Sequence, residues 1–259
     1  MRPKKSYGQH FLKEPRIAER IANSLTLAGD AYQTVVEVGP GKGMLTQFLV
    51  DQHYELFMVE ADRDMVDHLL NWKPELKERL LLQDFMKWRP DGWIDQPFAL
   101  IGNFPYNISS QIVIKVLENK DQIPEMVGMF QREMAERIVA KHGNKTYGVL
   151  SVLAQAYYEA KLLFRVSKGS FNPPPKVESA VIRLKRKSEN PNCSEKWLRL
   201  VVKQSFQQRR KMLRNTLKSL VHDPESLGEA LLSKRPEQLS VEDFVQLART
   251  LEEQAKNRS

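Results

Sequence analysis

The sequence predicts a mostly parallel α/β sheet that ends in an antiparallel hairpin, followed by a small all-helical domain. Three observations support this prediction. Short apolar runs alternate with helical patterns from Thr34 to about Arg186, a glycine-rich turn follows the first run, and no strand-like run follows Arg186. Strands separated by helical stretches form parallel sheets that are covered on both faces. We therefore expect one α/β domain at residues 1–186 and a helical domain at residues 187–259.

The expected strands are short runs rich in Val, Ile, Leu and Phe. They cover residues 34–38, 54–60, 79–83, 98–102, 125–130, 159–166 and 177–184, and helical patterns cover residues 44–50, 62–72, 113–119 and 132–141. The last two strands have no long crossover between them, so we expect them to form a hairpin. The segment that joins them, GSFNPPPK, is a loop stiffened by three prolines.

Four helices are expected after the sheet. Their patterns cover residues 195–206, 209–220, 224–233 and 240–256. Ser240 is a good N-cap residue for the last helix, and Asp243 lies in its first turn.

The positive charge of the chain is concentrated in one segment. Residues 185–218 contain eleven Lys or Arg and two acidic residues, an excess larger than the net charge of +8 of the whole chain. A local excess of this kind indicates a polyphosphate partner, although a solvated basic helix face has the same composition.

Composition excludes several classes of protein. The chain is 41% hydrophobic and 28% charged, which is typical of a globular protein, and no apolar run reaches the length of a membrane span. The single cysteine, Cys193, excludes an internal disulfide, and the five histidines lack metal-ligand spacing. We expect a cytoplasmic protein without a metal site and, by default, a monomer.

A glycine turn follows the first strand, where a ligand can approach the backbone closely. Gly39, Gly41 and Gly43 are placed to present N–H groups at the start of a helix. A dinucleotide fingerprint would need glycine at position 44, which is Met44, so a nicotinamide dehydrogenase is disfavoured. The spacing instead resembles motif I of S-adenosylmethionine-dependent methyltransferases.

Two acidic residues end the next two strands. Glu60 follows Gly39 by 21 residues, where a carboxylate can accept both hydroxyls of a ribose. Asp84 closes the third strand and is placed to accept from an adenine amino group, although either acid could simply cap a helix. Ligands of open α/β sheets bind at the carboxyl ends of the strands, so these residues predict one cofactor site.

The fourth strand ends in Asn103-Phe104-Pro105-Tyr106, which has more aromatic residues than a turn needs. The exocyclic amine of adenine is a poor nucleophile because its lone pair is delocalised into the ring. Two acceptors, the side-chain oxygen of Asn103 and the backbone carbonyl of Phe104, would draw its nitrogen toward tetrahedral geometry. Pro105 holds the carbonyl in one direction, and Tyr106 would stack on the base.

Taken together, the motifs resemble those of the rRNA adenine N6,N6-dimethyltransferases, in particular the kasugamycin-sensitivity type that modifies two adjacent adenosines near the 3′ end of small-subunit (16S) rRNA. The resemblance covers residues 8 to about 218. It rests on GQHFL, EVGPGKG, VEAD, QDF, GNFPYNISS, QREMAERI, FNPPPKVESAV and SFQQRRKMLRN.

The resemblance implies a Rossmann-like class I methyltransferase sheet, S-adenosylmethionine as cofactor, and roles for particular residues. The implied cofactor residues are His10, Leu12, Gly39, Gly41, Glu60, Asp84 and Asn103. The implied catalytic residues are Asn103, Phe104, Tyr106 and Phe171, with Phe171 as the second face of a clamp around the base. His10 stands where the family usually has Asn, and Phe104 where Leu is commoner.

The expected partner is small-subunit rRNA or an immature 30S subunit. We expect Arg209, Arg210, Lys211 and Arg214 of the helical domain to bind its phosphates. Two alternatives stay open at this point: an enzyme that modifies large-subunit rRNA, and a non-catalytic assembly factor with a relic cofactor site.

Overall fold

The structure is a computed structural model that describes residues 10–257, so Gly8 and Gln9 of the GQHFL motif lie outside the described residues. The chain divides into two compact units. The first unit comprises residues 1–135 and 160–186, and the second comprises residues 136–159 and 187–259.

A seven-stranded sheet forms the centre of the first unit. Its strands are β2 (Thr34–Val38), β3 (Glu55–Glu60), β4 (Leu80–Leu82), β5 (Phe98–Asn103), β6 (Glu125–Gln131), β7 (Tyr158–Val166) and β9 (Ser179–Arg186). They are ordered β4-β3-β2-β5-β6-β9-β7. The pairs from β4 to β6 are parallel, and β9 runs antiparallel to β6. The predicted mostly parallel sheet with an antiparallel end is confirmed.

The sheet is buried because helices follow its strands. The helices are α1 (Pro15–Ala22), α2 (Thr46–Leu49), α3 (Arg63–Trp72), α4 (Ser109–Glu118) and α5 (Arg132–Val139), the last of which crosses into the second unit. Every residue of β2 is buried, including Thr34 and Glu37, as expected of a central strand that is covered on both faces. The strand order reverses direction between β2 and β5, which is where ligands bind in open α/β sheets.

A second, two-stranded sheet places the N-terminal segment beside the main one. Strand β1 (Phe11–Leu12) pairs antiparallel with β8 (Phe171–Asn172), so Leu12 is opposite Phe171. The sequence pattern predicted only a loop at β8. The pairing joins residues that are far apart in the chain, and no local pattern reports it.

The second unit is helical, as predicted. Its helices include α6 (Val149–Tyr157), α7 (Glu195–Gln207), α8 (Leu213–Thr216), α9 (Glu229–Leu232) and α10 (Val241–Lys256). Ser240 caps α10 as expected: its hydroxyl accepts from the Asp243 N–H, and the Asp243 carboxylate accepts from the Ser240 N–H.

Two predicted helices are much shorter than their patterns. The expected helix at residues 209–220 is α-helical only over α8, because the Leu213 N–H bonds to the Lys234 carbonyl instead of continuing a helix. The expected helix at residues 224–233 is interrupted at Gly228, whose φ of +75° is left-handed.

The compact units also differ from the expected boundary at residue 186. Residues 136–159 belong with the C-terminal helices, because α6 packs against α7 and α10. None of the helices between residues 10 and 257 has the length and apolar content that a bilayer span requires.

Candidate active site

A cavity of about 450 Å³ lies at the carboxyl ends of the parallel strands in the first unit. This volume is in the range of small-molecule and cofactor sites. All of the predicted cofactor residues line it, together with three of the four predicted catalytic residues, one of which, Asn103, belongs to both sets: His10, Leu12, Gly39, Gly41, Glu60, Asp84, Asn103, Phe104 and Tyr106.

The glycine turn after β2 requires glycine for its backbone. Gly39, Gly41 and Gly43 have φ of +68°, +57° and +82°, a region that L-residues with side chains rarely adopt. A Cβ built on Gly39 meets no atom within 4 Å. The missing side chain therefore leaves open space against the cavity, and a ligand can approach the backbone there.

A buried carboxylate supports this turn. Glu60 accepts from the Gly41 N–H at 3.0 Å and from the Asp62 N–H at 2.9 Å, so it fixes the turn to the end of β3. Burial raises the pKa of Glu60, and hydrogen bonds from the Asp62, Gly41 and Ala61 backbone oppose the rise. The sequence had indicated a ligand role for Glu60, and its spacing gave no sign of this structural one.

Glu37 is a cavity residue that was not selected from the sequence. It is 1% exposed and accepts from the Thr46 hydroxyl at 2.8 Å. Burial raises the pKa of Glu37 to about 8 against the lowering effect of the Thr46 hydrogen bond, and the charge of Glu60 adds to the rise. An acid within a buried strand was the available sequence signal.

Asp84 matches both readings of its sequence position, as a cavity residue and as a cap. It is exposed and lines the cavity, and it also caps a turn, because its Oδ1 accepts from the Met86 N–H at 2.8 Å. Within residues 10–257, no group of three His, Cys, Asp or Glu side chains is arranged to hold a metal ion.

Asn103 is held in one orientation. Its Nδ2 donates to the His10 carbonyl at 3.0 Å, and a carbonyl can only accept, so the Nδ2 end of the amide must face His10. Among the described residues, no protein donor bonds to Asn103 Oδ1 or to the backbone carbonyl of Phe104. Two acceptors from consecutive residues that line the cavity thus have no protein partner within residues 10–257.

The Tyr106 ring is fixed at both ends. Its hydroxyl is 2.5 Å from the Ser179 hydroxyl, and its ring stacks on the His10 imidazole with centroids 5.4 Å apart. Burial raises the pKa of Tyr106, against the effect of the Ser179 hydrogen bond. His10 is held in turn by a 2.9 Å hydrogen bond between Nδ1 and the Pro173 carbonyl. Ser179, in the FNPPPKVES motif, is a second residue that was not selected from the sequence.

Phe171 is not part of this cavity. Its side chain is 2% exposed and packs in the hydrophobic core where β8 pairs with β1. The expectation that its ring forms the second face of a base clamp has no support from this arrangement. The side chain that does stack on Tyr106 is His10.

The predicted RNA-binding residues lie in the second unit and differ in their surroundings. Arg209 donates to the Asn144 carbonyl at 3.0 Å, and Arg214 pairs with Glu229 at 2.5 Å. Arg210 and Lys211 are exposed. Two of the four side chains therefore take part in contacts within the unit.

The sequence matches one family model and many curated relatives. The model, described as ribosomal RNA adenine dimethylase, matches residues 1–253. A protein of Flavobacterium johnsoniae named ribosomal RNA small subunit methyltransferase A is 49% identical over 254 residues, with 97% of each chain covered. A protein of Cytophaga hutchinsonii with the same name is 48% identical and covers 97% of this chain and 98% of its own.

Solved structures show the same fold at lower identity. A dimethyladenosine transferase from Plasmodium falciparum has a TM-score of 0.80 at 24% identity, covering 96% of this chain and 98% of its own. The 23S rRNA methyltransferase ErmE has a TM-score of 0.73 at 24% identity, covering 93% and 99%. With the family model matching almost the whole sequence and relatives near 50% identity, the chain belongs to the ribosomal RNA adenine dimethylase family.

Proposed function

We propose that the protein transfers methyl groups from S-adenosylmethionine to N6 of two adjacent adenosines in the 3′-terminal hairpin of small-subunit (16S) rRNA. The products are N6,N6-dimethyladenosines, formed during ribosome biogenesis. The observation that carries the proposal is the pair of acceptors, Asn103 Oδ1 and the Phe104 carbonyl, that line the cavity without protein donors among the described residues.

The residues around the cavity fit S-adenosylmethionine. When bound, this cofactor supplies an electrophilic methyl group on a sulfonium. The ligand is cationic and has no phosphate, so its charge would favour the ionised forms of Glu37 and Glu60, whose pKa values burial raises. Backbone at Gly39 and Gly41, the Leu12 side chain and the His10 segment would surround it, with Glu60 at the ribose and Asp84 at the adenine.

The acceptor pair suits an adenine amine. Its two N–H groups would donate to Asn103 Oδ1 and to the Phe104 carbonyl, which leaves the nitrogen lone pair directed away from both. Because the His10 carbonyl fixes the Asn103 amide before substrate binds, the acceptors need little reorganisation in the reaction. Tyr106, fixed by Ser179, offers the ring on which the base would stack.

The target base must leave its stack to reach such a cavity, so RNA recognition would rest on shape and phosphates. We propose that the basic second unit supplies phosphate contacts. We also propose that the enzyme acts in the cytoplasm as a monomer on an immature 30S subunit. The names of the relatives, which refer to the small subunit, support the choice of substrate.

Mapping of the modified nucleotides tests the proposal. Small subunits that lack the modification, free 16S rRNA and large subunits would each be incubated with the protein and S-adenosylmethionine that carries a labelled methyl group. We expect label on N6 of two adjacent adenosines in the 3′ hairpin of small subunits, with two methyl groups on each. Label in large-subunit rRNA, or in neither, would overturn the proposal. Comparison of subunits with free 16S rRNA identifies the assembly state that is accepted.

A further inference from the structure

Two glycines lie next to the acceptor loop, which is the segment from Asn103 to Tyr106. Their backbone conformations do not explain why these positions are glycine. Gly102 in β5 and Gly128 in β6 are register partners on adjacent parallel strands. Neither has a positive φ, so any residue could adopt these backbone conformations. A strand-interior glycine without a backbone reason often marks a place where another group approaches closely.

The group that approaches is the ring of Phe104. A Cβ on Gly128 would lie 2.2 Å from Phe104 Cε2 and 2.7 Å from its Cδ2, and a Cβ on Gly102 would lie 2.8 Å from Phe104 Cε1. A Cβ atom essentially never lies this close to a non-bonded carbon. The ring therefore lies on the bare surface of the sheet that Gly102 and Gly128 leave open, which we call the glycine notch.

A second aromatic ring packs against the Phe104 ring beside the notch. Phe130 follows Gly128 by two residues on β6, and its ring is 5.1 Å from that of Phe104. Phe104 is 1% exposed, and its backbone N–H donates to the Met129 carbonyl at 3.2 Å. One residue thus has its ring buried in the notch, its N–H fixed to β6, and its carbonyl free of donors from the described part of the chain.

We propose that Gly102 and Gly128 are positioning residues: by seating the Phe104 ring, the glycine notch sets the direction of the Phe104 carbonyl that receives the substrate amine. This inference rests on the proposed function for the role of the carbonyl. The notch itself rests only on the packing. Larger side chains at position 128 are compatible with catalysis only if residue 104 is smaller.

Substitution at Gly128 tests this better than substitution at Gly102. Besides Phe104, a Cβ at 128 would approach the Phe130 ring at 2.8 Å, which is a side chain and can shift, whereas a Cβ at 102 would lie 2.7 Å from the backbone carbonyl of Val38. The variants are Gly128→Ala, Phe104→Leu and the two combined, with Gly169→Ala as control. A Cβ on Gly169 meets nothing closer than 3.7 Å, and Gly169 has no positive φ. The measurements are kcat and KM for methyl transfer to rRNA, the Kd of S-adenosylmethionine, and the denaturation midpoint.

We expect Gly128→Ala to lower kcat by about 10- to 100-fold, the size of effect that a misplacement near 1 Å produces. The Kd of S-adenosylmethionine should stay within about threefold, since cofactor residues are not displaced. Adding Phe104→Leu should restore kcat to the level of Phe104→Leu alone. A wild-type kcat in Gly128→Ala, or a defect that Phe104→Leu leaves unchanged, would overturn the inference.

The test still gives an answer if Gly128→Ala fails to fold, or if the wild-type protein does not methylate small-subunit rRNA. If Gly128→Ala fails to fold, recovery of the denaturation midpoint in the double variant still supports the notch, and no recovery contradicts it. If the wild-type protein transfers no methyl group to small-subunit rRNA, the proposed function fails. The coupling between positions 104 and 128 in the denaturation midpoint then still decides whether the notch exists.

Discussion

Asn103 shows how a single side chain is prepared for a task by its neighbours. One end of its amide is bonded to the His10 carbonyl, and the other end has no donor among the described residues. Asn103 is half-buried and lines the cavity, so its free acceptor is open to solvent until a substrate amine takes its place. The amide is therefore oriented by the protein before any ligand binds.

Replacing Asn103 by Ala should remove methyl transfer and leave most of the cofactor affinity. We expect a loss on the order of 10²- to 10³-fold in the single-turnover rate, comparable to removal of one preorganised hydrogen-bonding group in other enzymes. Rapid-quench measurement with saturating S-adenosylmethionine gives the rate, and calorimetry gives its Kd. Asn103→Asp retains acceptors but cannot donate to the His10 carbonyl, so it should also be slow. A rate within twofold of wild type in Asn103→Ala would contradict this account.

The sequence was a good guide to which residues line the cavity. It was a poor guide to the hydrogen-bond partners that fix those residues in place. Glu60 and Asn103 were selected because strand ends in a parallel sheet share an edge. The partners of Asn103 and Tyr106 were not found, since they are 93 and 73 residues away in the chain. Phe171 was placed at the cavity by motif alone, whereas its pairing with β1 buries it.

Helix α4 follows the acceptor loop in the chain, and one of its side chains contacts the segment that follows β4. Its Lys115 is buried, and the ammonium donates to the carbonyls of Phe85 and Trp88. It also lies over the Phe85 ring, 4.7 Å from the centroid. Burial lowers the pKa of Lys115 to about 8; the charge of Arg89 lowers it further, and those of Asp84 and Glu118 oppose the change.

This lysine should give stability a specific pH dependence. Between pH 8 and 10.5 the folded protein has released a proton that the unfolded chain still binds, so the unfolding free energy rises with pH in that window. The slope is at most about 1.4 kcal/mol per pH unit. Denaturant unfolding of the wild type and of Lys115→Met from pH 7 to 10.5 measures the difference. Lys77→Met, at an exposed lysine, should keep the wild-type slope; a wild-type slope in Lys115→Met would refute the assignment.

The strands of the main sheet and the last helix were the elements that local patterns predicted best. Every predicted strand of the main sheet is present, and α10 begins at its capping box. Helices α1 and α6 were not predicted. α6 is apolar on most of its surface because it is buried by α7 and α10, and a helix of this kind lacks the one-sided period used to recognise it.

At the level of the molecule, the basic segment has two kinds of role. Arg209 lies near Glu237 and bonds to the Asn144 carbonyl, so it contributes to the fold of the second unit. Arg210 and Lys211 are exposed, and no protein hydrogen bond or ion pair of their side chains occurs within residues 10–257. A basic residue that contributes to the fold and two that are available to bind phosphates are thus neighbours in the sequence. Composition alone cannot distinguish the two kinds.

Neutralising Arg210 and Lys211 should therefore weaken RNA binding without unfolding the unit. For Arg210→Gln with Lys211→Gln, the slope of log K against log salt concentration should fall by about two, one for each phosphate that is no longer neutralised. Fluorescence anisotropy with a labelled 3′-hairpin rRNA at several salt concentrations measures it. The matched control, Lys234→Gln with Arg235→Gln, removes the same charge from an exposed pair outside residues 185–218. Equal slopes for the two double variants would contradict the prediction.

The second unit is made from two separate stretches of chain, because α6 belongs with the C-terminal helices. A deletion after residue 186 would thus leave α6, most of whose residues are buried, without α7 and α10, the helices that pack against it. An exchange of this unit between relatives requires two grafts, one for residues 136–159 and one for residues 187–259. During synthesis on the ribosome, α6 must also wait for most of the remaining chain before α7 and α10 cover it, so its apolar surface stays exposed in the nascent protein for that time.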